Sequence, residues 1–218
     1  MRVLSLVTQK GGTGKSTLAV SLGVAAQESG LKVCVLDTDP QGTASSWSLR
    51  RSSSIPGVEA AASRPLSPCI GTLAREGYDL VIVDTPSVSA GNACAAMQAG
   101  DLCLIPVRPS IADVEAARPT VQFLVAREKA FAFVLNQCPG GGRTSRTTSA
   151  FRGLEVIGCV CEPTVALRTD HVDALAFGRG VTEHARTSKA AAETRAVLDW
   201  ALARMQGRAS ALLGLRGR

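Results

Sequence analysis

Near the start of the chain an apolar run, Val3-Leu4-Ser5-Leu6-Val7, feeds into Lys10-Gly11-Gly12-Thr13-Gly14-Lys15-Ser16-Thr17, and helical patterning follows from Ser16 to Ser29. A buried strand, a glycine-rich loop and a helix in that order restrict the chain to a narrow set of folds. Backbone N–H groups in such a loop converge on one point, and the helix N-terminus behind them favours negative charge. In the ordinary form of this phosphate loop, G-x-x-x-x-G-K-[ST], the lysine reaches the β- and γ-phosphates and the hydroxyl ligates Mg2+. Here Gly14, Lys15 and Ser16 take the expected places, whereas Gln9 stands where the first glycine belongs. The predicted contacts of this loop with its nucleotide are Gly11, Gly12, Thr13, Gly14, Lys15, Ser16 and Thr17, with Ser16 also on the metal.

Two further apolar runs end in acids. Val33-Cys34-Val35-Leu36-Asp37-Thr38-Asp39-Pro40-Gln41-Gly42 closes on two carboxylates and a turn, and alternation along a strand sends Asp37 and Asp39 to the same side. Ligands bind at the carboxyl ends of strands in open parallel sheets, so both acids are placed to face phosphate and metal. Asp39 is also suited to cap a helix starting near Gly42. Tyr78-Asp79-Leu80-Val81-Ile82-Val83-Asp84-Thr85-Pro86 is a continuous apolar strand whose final acid, Asp84, fits a carboxylate that holds Mg2+ through its water shell. A fourth run, Phe131-Ala132-Phe133-Val134-Leu135-Asn136-Gln137, ends in amides, and taken alone Asn136 suits a turn equally well.

Lys10 has no task in its own site, because Lys15 already neutralises the phosphates. Phosphoryl transfer gains most from cations placed where charge develops, and such a cation can come in trans from a second molecule. A solvated loop lysine is the alternative. The string K-G-G-x-x-K-[ST] resembles the deviant Walker A signature of the ParA/MinD ATPases, and the acid-ended strands follow in that family's order. The resemblance implies ATP and Mg2+ as cofactors and a homodimer when ATP is bound, with Lys10 crossing to the partner's phosphates. It implies that Asp39 orients the attacking water, that Asp37 supports the magnesium region beside Ser16 and Asp84, and that Asn136 reads the adenine edge. It makes Lys10, Lys15 and Asp39 the catalytic set. A Leu167-Arg168 to Gly178-Arg179-Gly180 segment is similar to the family's late loop and helix, so the likeness covers nearly the whole chain.

Strand-like runs near 2–8, 32–37, 79–84, 101–107, 130–136 and 154–160 alternate with helical stretches near 15–29, 66–76, 110–128 and 188–206. That alternation predicts an α/β fold of the P-loop NTPase type, a mostly parallel twisted sheet with helices on both faces. Pro119 should kink or delay the helix drawn through it. Ser45 to Pro68, rich in Ser, Arg and Pro, reads as surface structure. With 218 residues and 45% hydrophobic content, one core is expected: an ATPase domain over 1–206 and a basic C-terminal tail over 207–218. Seven cysteines, an odd number with no C-x-x-C pair, point to a reducing compartment and to neither disulfides nor a zinc site. The chain opens on a core strand with no room for a signal peptide and has no run long enough for a membrane span, so a cytoplasmic location is expected.

The formal net charge of +6 is uneven: +1 through Gln137 and +5 from Cys138 onward, with 19 arginines against 5 lysines. Arginine's planar fork binds phosphate oxygens bidentately, so Arg143, Arg146, Arg152, Arg168 and Arg179 are candidate contacts for non-specific DNA, and scattered arginines serving solubility are the alternative. The family likeness, closest to short plasmid-type ParA proteins, implies a nucleoid-associated partition ATPase released from DNA when a ParB-like or other cargo adaptor stimulates hydrolysis. Two alternatives belong to other classes. One is a MinD-like membrane-associated positioning ATPase attached through Ala209 to Arg216, although that stretch offers only three large apolar side chains and a membrane partner is not expected. The other is a metabolic P-loop enzyme related to dethiobiotin synthetases or iron–sulfur carriers, for which no substrate motif or ligating cysteine pattern is evident.

Overall fold

The structure is a computed structural model that describes residues 1–87, 90–140 and 144–215, with Ala90 and residues 208–215 described by backbone alone. In chain order the elements are β1 (Arg2–Leu6), α1 (Lys15–Glu28), β2 (Val33–Asp37), α2 (Thr43–Leu49), β3 (Gly57–Ala60), α3 (Leu66–Arg75), β4 (Leu80–Asp84) and α4 (Ala90–Ala99). There follow β5 (Leu102–Val107), α5 (Ile111–Ala116), α6 (Arg118–Val125), β6 (Phe131–Leu135), α7 (Ser145–Glu155), α8 (Thr169–Ala176), α9 (Val181–His184) and α10 (Lys189–Leu215). The six strands form one sheet in the order β3-β2-β4-β1-β5-β6, with every pairing parallel. The expected α/β architecture is observed.

Continuous apolar strands are what a sheet covered on both faces requires, and β2, β4 and β5 are buried along their full lengths. Alternation divides their side chains between two cores. Leu4, Leu6, Val35, Ile82, Leu104 and Val134 pack with Leu22 of α1, Trp47 of α2 and Val197 of α10. On the other face Val3, Leu36, Val83, Ile105 and Phe133 pack with Leu73 of α3, Met97 of α4, Leu124 of α6 and Leu154 of α7. Trp47 is fully buried, and its indole nitrogen donates to the Arg179 carbonyl at 3.1 Å, tying α2 to the turn before α9.

Three local readings change. The run at 154–160 is not a strand: α7 reaches into it and ends at Glu155, a turn follows, and only Val160 makes an isolated bridge, to Phe133. Phe151 and Leu154 both face the core from α7, a three-residue spacing that suits a helix and not a pleat. The stretch 110–128 splits at Arg118, with Pro119 in the first turn of α6, where its missing N–H costs nothing. Within the surface segment after Ser45, Gly57–Ala60 pairs with β2 as a short edge strand. The last helix, α10, runs unbroken to Leu215.

Candidate nucleotide-binding site

All six strands point the same way, so β1, β2 and β4 deliver their ends to one edge, with Asp84 opposite both Leu6 and Asp37 in register. The glycine-rich loop leaves β1 at this edge and opens into α1. Gly14, the residue before α1, has φ 89°, a left-handed conformation that a side chain would strain. A Cβ there would lie 2.5 Å from the Asn136 amide nitrogen, so glycine is also the residue that fits. No side chain caps α1, and no acid stands in its first turn. The first N–H groups of the helix are left to an anion, which is what a phosphate cradle needs.

Lys15 is 6% exposed and donates to the Ser87 hydroxyl at 2.8 Å. Burial lowers its affinity for a proton, while Asp84 and Asp39 pull the other way. Lys10, in the same loop, is half-exposed and has no ion-pair partner among the described residues, although it helps Arg108 and Ser110 hold the buried Asp113 carboxyl below its ordinary range. The two lysines of the loop therefore face different surroundings. Ser87 was not foreseen from sequence, and its place three residues after Asp84 is the only signal that could have found it.

Asp84 is fully buried, and neither carboxylate oxygen has a hydrogen-bond partner. Burial above all pushes its carboxyl up to about 7; the nearby Ser16 hydroxyl pulls it back without reaching ordinary hydrogen-bond geometry, and Asp37 pushes it further up against the pull of Lys15. An orphaned carboxylate beside a hydroxyl at a phosphate cradle fits Mg2+, which takes one or two carboxylates and fills its remaining positions with water and phosphate oxygens. Ser16 and Asp84 would hold it.

Asp37 is spent differently. Its carboxylate accepts from the Ser45 N–H and Ser45 hydroxyl, both at 2.8 Å, and from the Asp39 N–H at 3.2 Å. It thus caps α2, the part that sequence had offered to Asp39. The half-exposed Asp39 accepts from the Gln41 N–H at 2.9 Å. Asn92 steadies the same corner by donating to the carbonyls of Thr38 and Ala62.

Across the loop, Asn136 is 5% exposed and its amide nitrogen donates to the Thr13 carbonyl at 2.7 Å. Gln137, whose φ of 54° turns it out of β6, donates to the Gly12 carbonyl at 2.9 Å. Together the two amides brace the phosphate loop from the far strand. Of the arginines, Arg146 and Arg152 are exposed on α7, Arg179 is exposed before α9, and Arg168 is locked to Glu193 at 2.6 Å. Arg143 lies outside the described residues. Because α7 packs on one sheet face while α9 packs with α1 on the other, these arginines do not share one face of the protomer.

A parallel sheet with a lysine-bearing phosphate loop and an orphaned acid at its carboxyl edge defines a P-loop nucleotide-binding protein. Comparison with known proteins narrows this class. The model for the CobQ/CobB/MinD/ParA nucleotide-binding domain matches residues 4–213, and the chain belongs to that family, whose ParA and MinD members are ATPases. A maintenance of carboxysome distribution protein A from Gloeobacter kilaueensis is 38% identical over 125 residues, 55% of each chain, so the match spans little more than half of that relative. The protein of the same name from Halothiobacillus neapolitanus is 29% identical over 90% of this chain and 94% of its own. Among solved structures, a chain of the MinC:MinD cell division protein complex of Aquifex aeolicus superposes with a TM-score of 0.77 at 16% identity, covering 93% of this chain and 96% of that one. No helix among the described residues is long and apolar enough to cross a membrane.

Proposed function

We propose that the chain is a partition or positioning ATPase of the ParA type that hydrolyses ATP with Mg2+, works as an ATP-sandwich dimer and binds DNA without sequence preference in that state. The division between two lysines of one loop carries this reading. Lys15 is buried against Ser87, Asp84 and Asp39, where it serves its own site, while Lys10 is half-exposed and without an ion-pair partner among the described residues. A cation so placed suits the phosphates of a second molecule.

The loop N–H groups and the α1 N-terminus bind the phosphates. Lys15, freed from Ser87, neutralises charge on the transferred phosphoryl. Ser16 and Asp84 would hold Mg2+, which would supply positive charge against the charge developing on the phosphates. Asp39 orients the attacking water, and its half-exposed position at the mouth of the site suits that role. Hydrolysis is slow until a ParB-like or other cargo adaptor stimulates it, after which the dimer parts and leaves the DNA; the protein then works in the cytoplasm on the nucleoid. Arg146, Arg152 and Arg179 are the exposed contacts. The kinship to carboxysome-distribution relatives makes a protein assembly as fitting a cargo as a plasmid.

Binding to random-sequence duplex DNA with ATP, with ADP and without nucleotide tests the reading. Tight binding with ATP alone, lost in Arg146→Glu/Arg152→Glu and in Arg179→Glu, is the expected result, and no DNA binding in any state would refute it. Lys10→Ala should bind ATP yet fail to dimerise, as seen by sedimentation, whereas normal dimers would remove the trans role. Asp39→Ala should accumulate an ATP-bound dimer that stays on DNA, and undiminished turnover would assign the water to another group.

One observation favours a second reading, a MinD-like membrane-associated ATPase: α10 stays helical through residues 209–215, the stretch that would lie on lipid. Pelleting with anionic vesicles, compared with a chain lacking 207–218, separates the two.

A further inference from the structure

Ser87 reaches the phosphate loop from the strand beside it. It follows Asp84 by three residues at the end of β4 and is partly exposed, and a Cβ on Gly11 of the loop would lie 3.9 Å from its hydroxyl oxygen. That oxygen accepts from the Lys15 ammonium at 2.8 Å, the one hydrogen bond this ammonium makes among the described residues. A hydroxyl carries one donor and two acceptor positions. Lys15 takes an acceptor position, and the O–H has no acceptor among the described residues.

Two other hydroxyls at this edge are spent: Thr85 donates to the Leu6 carbonyl and Thr38 to the Asp84 carbonyl, both at 2.7 Å. Ser87 differs from them in keeping its proton free and in facing Lys15. The sheet order decides which end of a nucleotide it would meet. β4 lies on one side of β1, and β6 lies two strands away on the other, where Val165, Leu167 and Leu175 wall an apolar slot that suits a base. A nucleotide with its base towards β6 points its terminal phosphate towards β4, and the Lys15 ammonium there also feels Asp84 and Asp39.

We infer that Ser87 sets the preference of this site for a nucleoside triphosphate over a diphosphate: its oxygen holds Lys15 until phosphates take the lysine, and its freed hydroxyl then donates to the terminal phosphate. This rests on the reading of the pocket as a nucleotide site. The exchange leaves both side chains bonded, the ammonium to phosphate oxygens and the O–H to a charged oxygen, a stronger acceptor than a neutral one. With a diphosphate Lys15 still leaves Ser87, because the loop lysine reaches the β-phosphate as well as the γ. The hydroxyl then keeps only water. Breaking the Lys15–Ser87 bond thus opposes both nucleotides alike, whereas the new hydroxyl bond favours the triphosphate alone.

Titration calorimetry of the full chain with Mg2+ and either ADP or the β,γ-imido analogue of ATP, which keeps the terminal phosphate and resists hydrolysis, tests this. Ser87→Ala should lower the preference for the triphosphate over ADP about tenfold, the worth of one hydrogen bond. Ser87→Thr, which keeps the hydroxyl, should hold the natural preference. The ratio of the two affinities cancels the loss of the Lys15 bond, which favours both ligands. Should Ser87→Ala fail to fold, Ser87→Gly gives the same comparison. A folded Ser87→Ala or Ser87→Gly variant with the natural preference overturns the inference, even if both affinities rise together, because Ser87 would then do no more than hold Lys15. Binding of neither ligand by the natural chain would instead overturn the nucleotide reading, and the inference with it.

Discussion

Strands β2 and β4 lie side by side and stop level, with Asp37 opposite Asp84, yet the two carboxylates are used in opposite ways. Asp37 accepts three hydrogen bonds and fastens the start of α2. Asp84, one strand away, accepts none and is held out of water. Both close apolar strands at the edge where ligands bind, so position alone gives them the same role. Hydrogen bonding separates them: the satisfied acid builds the corner that carries Asp39, and the unsatisfied one is left without a donor, as a cation ligand would be. This resembles the trade made at functional sites generally, where a locally unfavourable group is retained because a ligand completes it.

The sharpest way to break the comparison is to neutralise Asp84. Asp84→Asn should lower steady-state ATP turnover by roughly a hundredfold or more while the phosphate loop still binds ATP, and near-normal turnover would place the metal elsewhere. The same substitution should stabilise the nucleotide-free protein. The folded carboxyl titrates near 7, above its ordinary 3.8, so between those values the folded state binds the extra proton. Stability from this group is therefore present at low pH and lost as pH rises towards 7, with the full penalty beyond it. Melting of the nucleotide-free chain across this range should show a decline worth about 2–4 kcal/mol, and Asp84→Asn should remove it. Parallel curves for the two proteins would mean that the buried acid carries no such strain.

Asp37→Ala should act in the reverse sense. Removing the cap of α2 should cost about 1–3 kcal/mol, lowering the melting temperature by a few degrees, with turnover falling only as far as Asp39 loses its place. If Asp37→Ala left stability intact and abolished turnover, Asp37 would belong with the metal and the contrast would collapse. A smaller effect sharpens the picture: Ser45→Ala removes one of the three donors to Asp37 and should cost about 1 kcal/mol in the same melt.

How much of this was legible depends on how far apart the cooperating residues lie in sequence. The phosphate loop, the left-handed Gly14 and the helix behind it are local, so eight consecutive residues suffice to place them. The alternating apolar runs of β1, β2, β4, β5 and β6 carry the parallel sheet for the same reason. The edge strand Gly57–Ala60 was not visible because it is four residues long and none of them is fully buried, leaving no alternation to read. The stretch after Leu154 was misread because Val156 and Ile157 look like strand interior, yet both are exposed. Within the site, the bonds from Lys15 to Ser87 and from Asn136 to Thr13 join residues 72 and 123 positions apart. No spacing rule reaches across such gaps.

The unpartnered state of Asp84 is tested most directly by titrating ATP into the natural chain and into Asp84→Asn, each with and without Mg2+. Mg2+ should tighten ATP binding by the natural chain about tenfold or more and leave the variant's affinity unchanged. An equal Mg2+ effect on both proteins would contradict the account and return Asp84 to the role of a buried acid without a cation.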